Sequence, residues 1–192
     1  MLMNTHKILA NNILRQTSID KLNLIDKKKF IWGNVKPDYV SKYKLKKHFY
    51  DESINMILEK VHFLSSLTSK EIFYSYGIKK FSAELGVVCH FLCDFFCYAH
   101  SERWRLKSDL KKHVSYEQKL SKIAKDFNFV ELIDENLLIE DIEMFIKYNM
   151  EEYSEVEGYE KDLLYSAFIC NSIVNSVLNQ VIENEEAERR VG

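Results

Sequence analysis

The 192-residue chain is long enough for one domain with a sizeable core, and 46% hydrophobic with 29% charged residues is the balance of a globular protein. A formal net charge of −2 gives no electrostatic reason to expect a nucleic-acid partner, and no apolar run approaches the roughly 20 residues that a transmembrane segment needs. Five glycines and a single proline, Pro37, leave few tight turns, so the composition predicts a mostly helical chain.

A helical apolar period marks six segments in chain order. The first covers roughly 5–17, with Ile8, Leu9, Ile13 and Leu14 on one face. Residues 18–50 are mixed. Lys27, Lys28 and Lys29 lead into Phe30, and the grouping of Gly33, Asn34 and Pro37 predicts a loop. A second helix, about 51–67, follows a cap at Asp51 and carries Ile54, Ile57, Leu58, Val61 and Leu64. The third, about 80–100, is apolar nearly all round, which predicts a central, buried helix. The fourth, fifth and sixth cover about 108–126, 134–150 and 158–184, the last running into a charged tail. With no repeat and no low-complexity linker, the expectation is all-α: a single compact helical domain over residues 1–192.

The N-terminus lacks a basic stretch followed by an apolar one, so no signal peptide is expected. Cys89, Cys93 and Cys97 repeat along one face of the central helix and, with Cys170, read as buried thiols rather than a disulfide framework or a Cys-only zinc site. Both observations point to a cytoplasmic protein.

The chemistry lies in an array of Asp38, His48, His90, Asp94, His100, His113 and Glu117. His90 with Asp94, and His113 with Glu117, are four residues apart, one turn along one helix face, so each pair can chelate one ion. Imidazole with carboxylate suits Zn²⁺, with Fe, Mn or Ni as alternatives. An aspartate inside the most apolar helix is a buried charge, costly unless paired or metal-bound. A His90–Asp94 hydrogen bond would account for that pair and leave His100, His113 and Glu117 unexplained. His90 and His100 are ten residues apart, about 15 Å along a straight helix, so the spacing supports two ions. One takes His90 and Asp94, completed by Asp38 and His48; the other takes His100, His113 and Glu117. His62 has no spaced carboxylate and reads as an ordinary surface or core histidine.

These motifs, in order and with these separations, resemble the zinc-dependent phospholipase C family, typified by bacterial phosphatidylcholine-cleaving enzymes and the catalytic domain of clostridial alpha-toxin. The resemblance spans roughly residues 5–120. It implies an all-helical fold around a trinuclear zinc site, and two to three Zn²⁺ ions are expected in this chain. Asp38, His48, His90 and Asp94 would hold the first ion, and His100, His113 and Glu117 the second. His6 would hold a third, bridged by Asp94, and Tyr39 would line a choline pocket. Secreted members bind the third ion through the amine and carbonyl of a mature N-terminal tryptophan. This chain starts at Met1, and Leu2 disfavours methionine removal, so the Met1 amine, another group or a weak site all stay open. The related S1/P1 nucleases carry His-x3-Asp where this chain has His113-x3-Glu117, which favours the phospholipase branch.

The implied reaction is hydrolysis of a phosphate ester, of a phospholipid or a soluble head-group ester, by a zinc-activated water, with Asp38 or Glu117 as the base. The alternatives are a member recruited to another metal-dependent reaction in small-molecule biosynthesis, or a non-catalytic metal-binding protein. Lys42, Lys44, Lys46 and Lys47 read as a solvated loop, and Trp32, Phe91, Phe95, Phe96 and Tyr98 as core aromatics.

Overall fold

The computed structural model describes residues 1–40, 48–100, 110–129, 137, 139–154 and 158–191. The described residues are helical with no strand. Helix α1 is Met3–Gln16, and the short helices α2 (Ile19–Leu22), α3 (Lys27–Gly33) and α4 (Lys36–Tyr39) follow. Then come α5 (Tyr50–Ser65), α6 (Ser69–Glu71) with a wide turn at Ile72–Tyr76, α7 (Ile78–Phe95), α8 (Leu110–Asp126), α9 (Ile142–Ser154) and α10 (Tyr159–Val191).

The centre is α7. From Phe81 to Phe95 almost every side chain is buried, including Val87, Val88, Phe91 and Leu92. A helix apolar all round has no face to give to water, so the others wrap it. The long α10, about 50 Å at 1.5 Å per residue, lies against α7 and also touches α1, α5, α8 and α9. Its inner face carries Leu163, Ala167, Ile173, Val174, Val177 and Val181. The amphipathic α5 buries Ile54, Ile57, Leu58, Val61 and Leu64, the five apolar positions its period marked.

Two local devices set the entry to α7. At the start of α6, Thr68 and Glu71 form a reciprocal cap: the Thr68 hydroxyl accepts from the Glu71 N–H, and the Glu71 carboxylate accepts from the Thr68 N–H. Gly77 then takes φ +93°, a left-handed conformation that favours glycine, and turns the chain into α7.

Five expectations are corrected. The fifth helix, expected over about 134–150, is α9 at Ile142–Ser154, and the described residues 137 and 139–141 ahead of it are not helical. The predicted loop around Gly33 and Pro37 is built of α3 and α4, with Pro37 in the first turn of α4, where its missing N–H costs nothing. Asp51 lies inside the first turn of α5, whose cap is Phe49. The central helix stops at Phe95 rather than running to 100, and Tyr98–His100 form a tight 3-10 turn closed by the His100 N–H to the Cys97 carbonyl at 2.8 Å. The last helix runs on through the charged tail to Val191, supported there by Arg189–Glu185 and Arg190–Glu186 ion pairs one turn apart.

Candidate metal centre

Six separate pieces of chain converge at the C-terminal end of α7. His6 comes from α1, Asp38 from α4, His90 and Asp94 from α7, and His113 and Glu117 from α8. His48 lies just ahead of α5, and His100 on the 3-10 turn. Three groups have ligand atoms all within 4.8 Å of one another: His6, Asp38 and His90; His48, His90 and Asp94; and His100, His113 and Glu117. All eight histidine and carboxylate positions of the array are therefore brought together. His6 stands with Asp38 and His90 as well as 3.4 Å from Asp94.

Asp94 is the hub. Its Oδ2 is 2.6 Å from His48 Nδ1 and 3.3 Å from His90 Nε2, and its Oδ1 is 3.4 Å from His6 Nε2 and 3.7 Å from His100 Nε2. The bend after Phe95 makes this reach possible. The straight-helix separation of His90 and His100 does not apply, because His100 is carried back over Asp94. Glu117 Oε1 lies 3.0 Å from His100 Nε2 and 3.3 Å from His113 Nε2. His90 Nε2 stands 3.7 Å from Asp38 Oδ1.

The Met1 ammonium fills the gap between these sets. It pairs with Asp94, lies 3.1 Å from Glu117 Oε1 and 3.0 Å from His100 Nε2. Burial opposes its charge, but Asp94 and Glu117 push it up to about 12. Sequence reasoning left this position open.

The electrostatics separate the candidate ligands. Burial alone would raise Asp94; the Met1 ammonium, His100, His6 and His90 hold it well below the usual carboxylate range. Burial and the neighbouring His6 charge push His90 well down, so it is neutral. Burial also lowers His100. His6 is the exception: burial opposes its charge, yet attraction to Asp94 raises it to about 9.

Two observations show that the site fits a cation. The ring of His6 is fully buried, and neither nitrogen has a hydrogen-bond partner among the described residues. His90 has its Nδ1 2.8 Å from the Asn34 carbonyl oxygen, to which it donates. Its Nε2 lone pair is left facing His48 Nδ1 at 3.2 Å and the Asp94 and Asp38 oxygens. Acceptor atoms aimed at one another repel unless a cation, a metal ion or a proton on His48 Nδ1, lies among them. Two atoms each about 2.0–2.1 Å from one tetrahedral Zn²⁺ stand roughly 3.3 Å apart, close to the 3.2 and 3.3 Å that separate His90 Nε2 from His48 Nδ1 and Asp94 Oδ2. The Asn34 contact is also a carbonyl partner of the kind that fixes the tautomer of metal-binding histidines.

A family model described as zinc dependent phospholipase C matches residues 5–184. The chain belongs to the zinc-dependent phospholipase C family. No curated protein and no solved structure matches it. As a member, it is a zinc-dependent hydrolase of phosphate esters, and its imidazole and carboxylate groups bind a small number of zinc ions.

Tyr39 is half-exposed beside Asp38, its ring 6.4 Å from that of Trp32, and its hydroxyl donates to the Met3 sulfur. Trp32 is therefore partly exposed rather than core, whereas Phe91, Phe95 and Phe96 are buried. The four cysteines are buried and free. His62 is exposed on α5. Lys42, Lys44, Lys46 and Lys47 lie outside the described residues. Among the described residues, no helix is long and apolar enough to cross a membrane. Sequence reasoning missed Asn34, which acts through its backbone carbonyl on His90.

Proposed function

We propose that His6, Asp38, His48, His90, Asp94, His100, His113 and Glu117 together hold two to three zinc ions and hydrolyse a phosphodiester of phospholipid or soluble head-group type. The convergence of three ligand groups on the Asp94 carboxylate carries this reading. Bound zinc supplies positive charge for the phosphate oxygens and acidifies a water toward a pKa of about 7.

The chain's own residues supply the rest. Asp38 is the better base. It is about one-third exposed, so it faces an incoming substrate, and burial raises its carboxyl, which makes it hold a proton more strongly. Glu117 is the poorer base. Burial would raise it, but the His100 and His113 hydrogen bonds and the Met1 ammonium hold it far down. It serves as a ligand. Tyr39 and Trp32 offer an aromatic surface next to Asp38, suited to a quaternary ammonium head group through cation–π attraction.

Residues 1–192 act as one domain in this reading, and four free cysteines favour a reducing, cytoplasmic setting. The test is turnover of a chromogenic phosphocholine ester beside phosphomonoesters, with chelator added and then Zn²⁺ restored. Turnover that stops and returns supports the proposal; turnover indifferent to chelation refutes it.

A further inference from the structure

Asp162, in the first turn of α10, is fully buried. Its Oδ2 accepts from the Tyr98 N–H at 3.1 Å and the Tyr116 hydroxyl at 3.0 Å, and its Oδ1 from the Tyr153 hydroxyl at 2.6 Å. These donors are neutral, and burial raises the carboxyl to about 6. A buried carboxylate held by neutral donors is a costly way to pack a helix end.

The donors explain its place. Tyr98 opens the 3-10 turn that ends in His100, and Tyr116 directly precedes Glu117 on the helix that also carries His113. One carboxylate on α10, a helix with no ligand of its own, therefore fastens both pieces of chain that make up the His100, His113 and Glu117 group. The third donor, Tyr153, sits on α9, which also carries no ligand. We infer that Asp162 is the positioning residue of this second metal group, holding the 3-10 turn and α8 in register so that His100 Nε2 and Glu117 Oε1 stand 3.0 Å apart. It touches neither substrate nor metal and acts through Tyr98 and Tyr116. The inference rests on the metal reading of His100, His113 and Glu117.

The two tyrosines make the test. The full chain, stripped of metal, is titrated with Zn²⁺ and with Co²⁺ as wild type, Asp162→Asn, Tyr116→Phe and Tyr153→Phe. Affinity for each ion and the Co²⁺ visible spectrum are the readouts. Partners behind metal ligands typically change affinity about 10–100-fold, so Asp162→Asn and Tyr116→Phe are expected to weaken one ion by about tenfold, alter its Co²⁺ bands and spare the others. Tyr153→Phe removes a hydrogen bond from the same carboxylate and is expected to leave every ion unchanged. Should Asp162→Asn fail to fold, the tyrosine pair still decides. Equal effects of Tyr116→Phe and Tyr153→Phe, or none, would show a carboxylate that only packs the helices and would overturn the inference while the metal reading stands. A wild type that binds no ion overturns both.

Discussion

Gly33 and Gly86 meet backbone to backbone where α3 crosses α7, and neither position has room for a methyl group. A Cβ on Gly33 would stand 2.2 Å from the Ala83 carbonyl oxygen, and one on Gly86 2.3 Å from that of Phe30. The crossing places the residue after Gly33, Asn34, with its carbonyl on His90 Nδ1. Backbone packing thereby sets the orientation of His90, a proposed metal ligand.

Gly86→Ala tests this relationship. Alanine improves helix propensity by roughly 0.5–1 kcal/mol, but forcing a methyl into a backbone contact costs about 1–3 kcal/mol or more. The clash wins. Thermal unfolding is expected to show a net loss of stability, and zinc titration a weaker ion at the His90 group. A variant as stable as wild type with unchanged zinc affinity would mean that the crossing has slack.

Asp38→Asn separates base from ligand. General-base catalysis is worth about 10²–10⁴-fold, so kcat should fall by that range while most zinc is retained, because the other ligands remain. The same range of loss with Glu117→Gln, accompanied by no loss of zinc, would transfer the base to Glu117.

The helices were legible where one face is apolar, as in α5, because burial enforces the period, and α7 was legible as a long run apolar nearly all round. The array was legible too, since His90 with Asp94 and His113 with Glu117 keep the one-turn spacing. What escaped was set by tertiary geometry. The end of α7 at Phe95 carries no glycine or proline, so apolar residues through Tyr98 read as more helix. α3 and α4 are too short for a period to register. Asn34 and Asp162 act through a carbonyl and a set of tyrosines brought from distant segments, which no local spacing encodes.

Protonation gives a third prediction. His6 rises to about 9 from its ordinary 6.5, so in the metal-free protein it is charged at pH 7 and must lose its proton to bind zinc. Zinc binding should release protons into a weakly buffered solution, and affinity should rise as pH increases toward 9, by about tenfold per pH unit for each proton released. The metal-free fold should respond the opposite way. Its His6 contribution is fully present below about 6.5 and is lost as pH climbs through about 9. Thermal midpoints with and without zinc, taken from pH 6 to 9, should therefore diverge. Parallel curves would contradict the assignment of His6 as a ligand.

Acid acts on the carboxylates. Asp94 and Glu117 are both held below their ordinary range in the fold, so the stability they contribute is present above about pH 4.5 and is lost as pH falls toward their folded values. Acid unfolding of the metal-free chain should shift to higher pH in Glu117→Gln if the His100 and His113 pairing is lost with the charge, and an unchanged acid limb would show that the pairing contributes nothing.

Asp94 is where the three groups join, so its removal tests the account most directly. Zinc per chain, measured by elemental analysis on wild type and Asp94→Asn purified alike, should give two to three ions for wild type and at least one fewer for the variant, with hydrolysis lost. Asp94→Asn with full zinc content and full turnover would contradict the account.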